Sequence, residues 1–196
     1  MMTSDAGARH DAGDGVRHSC AVNQLVTVQL PSGPVTIECS PLLQTARILH
    51  AFSTRVGGVS AWPYASLNFG SPMEVPAGIE RDSTTNLSEN FARLHRAAQQ
   101  AGGLLVELPH ELVQVHQVHG DVCHTVLAGQ PSHGGASAGD NPSTTQADAI
   151  MTSDPARVVA VRTADCVPVL MVTEDGRWVA AIHGGWRGVV AAIVAA

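Results

Sequence analysis

Apolar and polar residues alternate in LVTVQL (25–30) and VTIEC (35–39), the period of strands with one buried face, and the intervening PSGP has hairpin chemistry. RILHAFSTR (47–55) reads as another strand. The next stretch, VGGVSAWPYASLNFGSP, is too rich in turn formers for regular structure. The period then changes. In NLSENFARLHRAAQQAG (86–102), Leu87, Phe91, Leu94 and Ala98 fall at helical spacing, and Gly102-Gly103 supplies the stop. ELVQVHQVHG and DVCHTVL read as strands parted by Gly120 and Asp121, and GQPSHGGASAGDNPSTTQ reads as a low-complexity loop. ADAIMT, RVVAVRTADCVPVLMV and RWVAAIHGG are three further strand-like runs, broken at Asp154-Pro155 and at Glu174-Asp175-Gly176. WRGVVAAIVAA opens an apolar helix without a cap or polar finish. Residues 1–20 are small, polar and aperiodic, which predicts a disordered leader before a single domain over 21–196.

Composition narrows the class. The chain has 196 residues, 44% of them hydrophobic and 14% charged, enough to bury a core without staples. A net charge of −6 excludes a general affinity for nucleic acid polymers. Every cation is an arginine, so chemistry on a lysine amine is excluded. Cys20, Cys39, Cys123 and Cys166 form no CxxC pair, and no signal-peptide pattern precedes them. They read as reduced thiols of a soluble cytoplasmic protein. No apolar run is long enough for a membrane helix.

Three residues stand out chemically. His119 in QVHGDV, Cys166 in TADCVPVL and His183 in AAIHGGWRG lie at strand ends or beside turns, where side chains are presented to a cleft on a rigid support. One thiolate and two imidazoles suit zinc and leave a fourth position open. Their spacing is no local finger pattern, so only the tertiary fold could assemble them, and a buried core cysteine with hydrogen-bonded histidines is the plainer reading of spacing alone. His116 and His119 form an HxxH, but on a strand they point to opposite faces. In STRVGGVSAWPYASLNFG, Gly57 and Gly58 permit close backbone approach and Arg55 could meet an anion. Arg187 is a second candidate clamp. Equally, this is a tight loop that Trp62, Tyr64 and Leu67 plug onto the core.

STRVGGVSAWPYASLNFG, ADAIMT, QVHGDV, TADCVPVLM and AAIHGGWRG together resemble the signature blocks of the YfiH family, whose members have been described as multicopper polyphenol oxidase (laccase) domain proteins and as purine nucleoside phosphorylases. The resemblance runs from about Leu49 to the end of the chain. It implies an α/β (α+β) fold, a layered sandwich of mixed sheets flanked by helices. It implies that His119, Cys166 and His183 are the metal-binding and catalytic trio, holding zinc or else copper. It further implies purine nucleosides and phosphate as substrates, with adenosine, inosine and methylthioadenosine cleaved and adenosine deaminated. Arg55, Asn68 and Arg187 are then the expected substrate and phosphate contacts, in a monomer or homodimer. Phe91 follows Asn90 where the family has Asn-Arg, Gly184 replaces a common alanine, and the family continues well beyond GWRG, so a C-terminal part is expected to be missing.

Other chemistries remain open at this stage. A multicopper oxidase needs several HxH pairs, and the chain has none. Cys166 could instead be the nucleophile of a hydrolase with His119 or His183 as base. An inactive, zinc-stabilised scaffold is the non-catalytic alternative.

Overall fold

The computed structural model describes residues 24–45, 47–70, 78–102, 111–129 and 145–195. The expected leader, 1–20, lies outside the described residues. In chain order the strands are β1 (Gln24–Leu30), β2 (Gly33–Cys39), β3 (Phe52–Ser53), β4 (Glu111–Val113), β5 (Cys123–Val126), β6 (Ala149–Thr152), β7 (Arg157–Val159), β8 (Val167–Val172) and β9 (Val179–Gly184). The helices are α1 (Pro41–Thr45), α2 (Thr84–Ala101) and α3 (Trp186–Val190), with a 3-10 turn at Ile193–Ala195.

The alternation of VTIEC becomes a buried face. Val35, Ile37 and Cys39 are closed to solvent on β2, which pairs antiparallel with β1 and β3. Ala97, with the half-buried Leu94, brings α2 onto this sheet, and Leu67 of the 56–70 loop joins the same core. Ser83 caps α2 by accepting the Asn86 N–H at 3.0 Å, so the helix starts two residues before the apolar pattern does.

A second layer holds the chemistry. Four strands form a mixed sheet in the order β5-β6-β9-β8, with β5 parallel to β6 and the other pairs antiparallel. β4 and β7 make a short parallel pair beside it. Val113, Val115, Val126, Ala147, Ile150 and Ala181 close its core. These mixed sheets with few helices are the expected α/β class.

Two long strand readings shorten. Only Phe52–Ser53 of RILHAFSTR enters a ladder, because the His50 ring turns back to accept the Ser40 N–H at 2.8 Å and to reach the Ile48 carbonyl. RVVAVRTADCVPVLMV divides into β7 and β8. Gln117 takes both backbone groups of Arg162, its Oε1 accepting the N–H at 2.8 Å and its Nε2 donating to the carbonyl at 2.7 Å. At the far end, α3 stops after five residues, and Ala192 takes a positive φ of 62°.

Candidate metal centre

β8 and β9 run antiparallel, with Pro168 opposite His183. Cys166 lies in the bend just before β8, whose first residue, Val167, pairs with Gly184 next to His183. β9 also delivers His183 to β6, where its N–H donates to the Asp148 carbonyl at 2.7 Å. His119 comes from the turn before β5 and has a φ of 63°, uncommon for a residue with a Cβ. These three residues, far apart in sequence, bring their ligand atoms within 4.8 Å of one another. The two imidazoles meet edge to face at 4.7 Å between centroids.

Asp148 organises the surroundings. It is fully buried, and its carboxylate accepts the N–H groups of Val118 (3.1 Å), His119 (2.9 Å) and Gly120 (2.7 Å) and the His183 Nδ1 at 2.7 Å. Burial alone would raise its pKa. The His183 hydrogen bond and the amides of Gly120, Val118 and His119 outweigh that and hold the carboxyl below its ordinary value. Gly185 makes the close packing possible, since a Cβ there would stand 2.9 Å from His119 Cδ2 and 3.4 Å from His183 Cε1.

The Cys166 thiol is half-buried and donates to Asp165 Oδ1 at 3.7 Å. Its pKa is raised, first by desolvation, then by the charge and hydrogen bond of Asp165 and the charge of Asp148. The same negative field favours a cation beside the sulfur. Tetrahedral zinc with bonds of about 2.0–2.3 Å sets its ligand atoms about 3.3–3.8 Å apart. The trio therefore fits such an ion after closing by about an ångström. His116 stands outside the cluster, in a bridge to Gln146.

The other candidates sit differently. Arg55 is exposed and donates through Nε (3.3 Å) and Nη2 (2.7 Å) to the Ala65 carbonyl, which crosslinks its own loop. Asn68 directs both amide protons inward, to Gly70 O at 2.9 Å and Asp82 Oδ2 at 2.8 Å. Arg187 is exposed at the start of α3, its guanidinium 5.3 Å from the Trp186 ring centroid. The close approach at Gly57 and Gly58 is made to the fold itself, because Cβ atoms there would collide with the backbone of Pro34 and Ser66. Of the three expected plugs only Leu67 is buried; Trp62 is 81% exposed.

The sequence reading missed Asp148 and Arg162. An acid inside the apolar run ADAIMT was the available signal for the first. Arg162 lies four residues before Cys166 and donates to the Phe69 carbonyl at 3.2 Å, joining the 56–70 loop to the cysteine segment. A cavity of about 1120 Å³ opens between α2 and the β4, β7 and β8 strands, but none of the trio lines it. The trio therefore lies apart from the cavity.

The profile of the family described as "Multi-copper polyphenol oxidoreductase laccase" matches residues 49–196. The chain is 38% identical over 143 residues to "Purine nucleoside phosphorylase YfiH" of Escherichia coli, covering 72% of this chain and 48% of that one. It is 34% identical over 156 residues to the "Purine nucleoside phosphorylase" of Deinococcus radiodurans, covering 78% and 50%. Among solved structures, YlmD from Geobacillus stearothermophilus superposes with a TM-score of 0.55 at 30% identity, covering 73% of this chain and 47% of that one. Bacillus licheniformis YfiH gives 0.56 at 29% identity, covering 74% and 48%. The chain spans about half the length of the curated relatives it matches. Among the described residues no helix is long and apolar enough to cross a membrane.

Proposed function

The chain belongs to the multi-copper polyphenol oxidoreductase laccase family, and from that premise we propose that it holds one zinc ion on His119, Cys166 and His183 and cleaves purine nucleosides with phosphate. The observation that carries the reading is the convergence of those three ligand atoms within 4.8 Å. A bound ion would supply Lewis acidity toward a substrate oxygen or a water molecule. In the cleavage, a phosphate oxygen bonds to the ribose C1′ as the C1′–N bond to the purine breaks. The base leaves with the electron pair and takes up a proton. Arg55 and Arg187, both exposed, are the proposed anion contacts, and among the described residues Arg55 Nη1 makes no hydrogen bond. Among the described residues Asn68 Oδ1 accepts only the Gly70 N–H, at 3.1 Å, which leaves it a lone pair for a substrate hydroxyl. Adenosine, inosine and methylthioadenosine are the proposed substrates, with deamination of adenosine as a side activity.

Elemental analysis of protein purified without added metal, run beside inosine and adenosine turnover with and without phosphate, tests the proposal. About one zinc per chain, with base release only when phosphate is present, is expected. Zinc without turnover returns the scaffold reading. Copper with oxidation of a phenol returns the oxidase, and iodoacetamide inactivation without metal loss returns the cysteine hydrolase.

A further inference from the structure

Asp148 is not among the three ligand residues, yet it is bonded to two of them. A carboxylate removed from water costs several kcal/mol unless its acceptor sites are filled. Among the described residues no arginine fills them. Three consecutive amides and one imidazole do. The amides of Val118, His119 and Gly120 can converge on one group only because His119 adopts a φ of 63°. For a residue with a Cβ that conformation costs about 1–2 kcal/mol, which the three hydrogen bonds offset.

The bond to His183 has a chemical consequence. An ionised carboxylate only accepts, so the His183 Nδ1 facing it at 2.7 Å must carry the proton. Nε2 is then left with its lone pair, and the ring is fixed in rotation. Both histidines are tied to the same oxygen, because Oδ1 accepts the His119 N–H and the His183 Nδ1–H together. Resting on the metal reading above, we propose that Asp148 is the positioning residue of the centre: one carboxylate sets the tautomer of His183 and the turn that presents His119, so the His183 ligand atom and the His119 backbone are placed before an ion arrives.

The test begins with the wild-type chain. A long-range ¹⁵N–¹H correlation spectrum of the metal-free protein must show His183 as the Nδ1–H tautomer. Asp148→Asn keeps the shape but turns an NH₂ group toward donors, so the tautomer should shift toward Nε2–H. The zinc Kd should rise about 10- to 100-fold, the loss typical of removing a partner behind a metal-bound histidine. Circular dichroism verifies that the variant is folded; if it is not, the wild-type tautomer decides alone. Two results overturn the proposal: an Nε2–H tautomer in the wild type, or a folded D148N with unchanged tautomer and unchanged zinc Kd. A wild type with Nδ1–H His183 that takes up no zinc would sink the metal reading and leave the tautomer assignment standing.

Discussion

Gly185→Ala adds one methyl group between two ligand rings. Gly185 has φ −69° and ψ 152°, which alanine adopts without strain, so any effect comes from the Cβ alone. That atom would lie 2.9 Å from His119 Cδ2 and 3.4 Å from His183 Cε1, against an optimum of about 3.5–4.0 Å between carbons. Relief therefore requires a movement of about 0.6–1.1 Å at His119. His183 cannot give way, being buried and bonded to Asp148, whereas His119 is exposed and can swing. Metal–ligand distances tolerate only about 0.2 Å, so the displaced imidazole loses its bond or keeps it under strain. The expected result is a zinc Kd raised by about 10- to 100-fold, or about 1.4–2.8 kcal/mol, measured by competition with a chromophoric chelator. Urea unfolding of the metal-free variant should change by no more than the about 1–3 kcal/mol of one overpacked methyl group. A zinc Kd within about threefold of wild type, equivalent to about 0.6 kcal/mol, would refute the argument. So would a large loss of metal-free stability.

The rest of the molecule offers two further tests. Asn90 is fully buried and holds the 56–70 loop through Val59 N–H (2.9 Å), Ser60 Oγ (2.8 Å) and the Asn68 carbonyl (2.8 Å), so Asn90→Ala should destabilise by about 2–4 kcal/mol in urea unfolding, and a change below about 1 kcal/mol would contradict this. The Asp82 carboxyl lies below its ordinary pKa because hydrogen bonds from Asn68, Ser60, Asn86 and the Ser83 amide outweigh the rise from burial. It therefore contributes stability above the ordinary carboxylate value, about 3.9, that is lost as pH falls through its depressed value. Asp82→Asn should be less stable at neutral pH but decline less steeply between about pH 5 and 2, and an unchanged acid slope would refute the assignment.

Much of this was legible in the sequence. Period-two alternation located the β1–β2 hairpin, period-3.6 spacing located α2, and glycines beside His119 and His183 flagged the ends of secondary structure. The trio's convergence was not legible from spacing, because it takes the β8–β9 pairing to bring the bend that carries Cys166 beside the end of β9 that carries His183. Asp148 was one of 17 acids in the chain, and every bond that distinguishes it spans 28 to 35 residues. The division of the 157–172 run has the same origin. Its β-branched residues favour one strand, and a side chain 45 residues earlier, Gln117, captures the backbone at Arg162. Nor could composition tell whether Gly57 and Gly58 made room for a ligand or for the neighbouring backbone, since both require the same missing Cβ.

With the proposed ion bound, the three positions would also make the centre a cross-link. His119 and Cys166 stand 47 residues apart, and Cys166 and His183 stand 17 apart, so one ion would close two loops. In a disordered chain, holding such loops shut removes entropy worth about 2.5 and 3.4 kcal/mol by the (3/2)RT ln n rule. To the extent that the unfolded chain releases the ion, its binding free energy adds to the stability of the native state. A backbone cut anywhere between His119 and Cys166 would leave two fragments joined by the proposed ion as well as by the packing and hydrogen bonds that cross the cut, and a chelator would weaken their association.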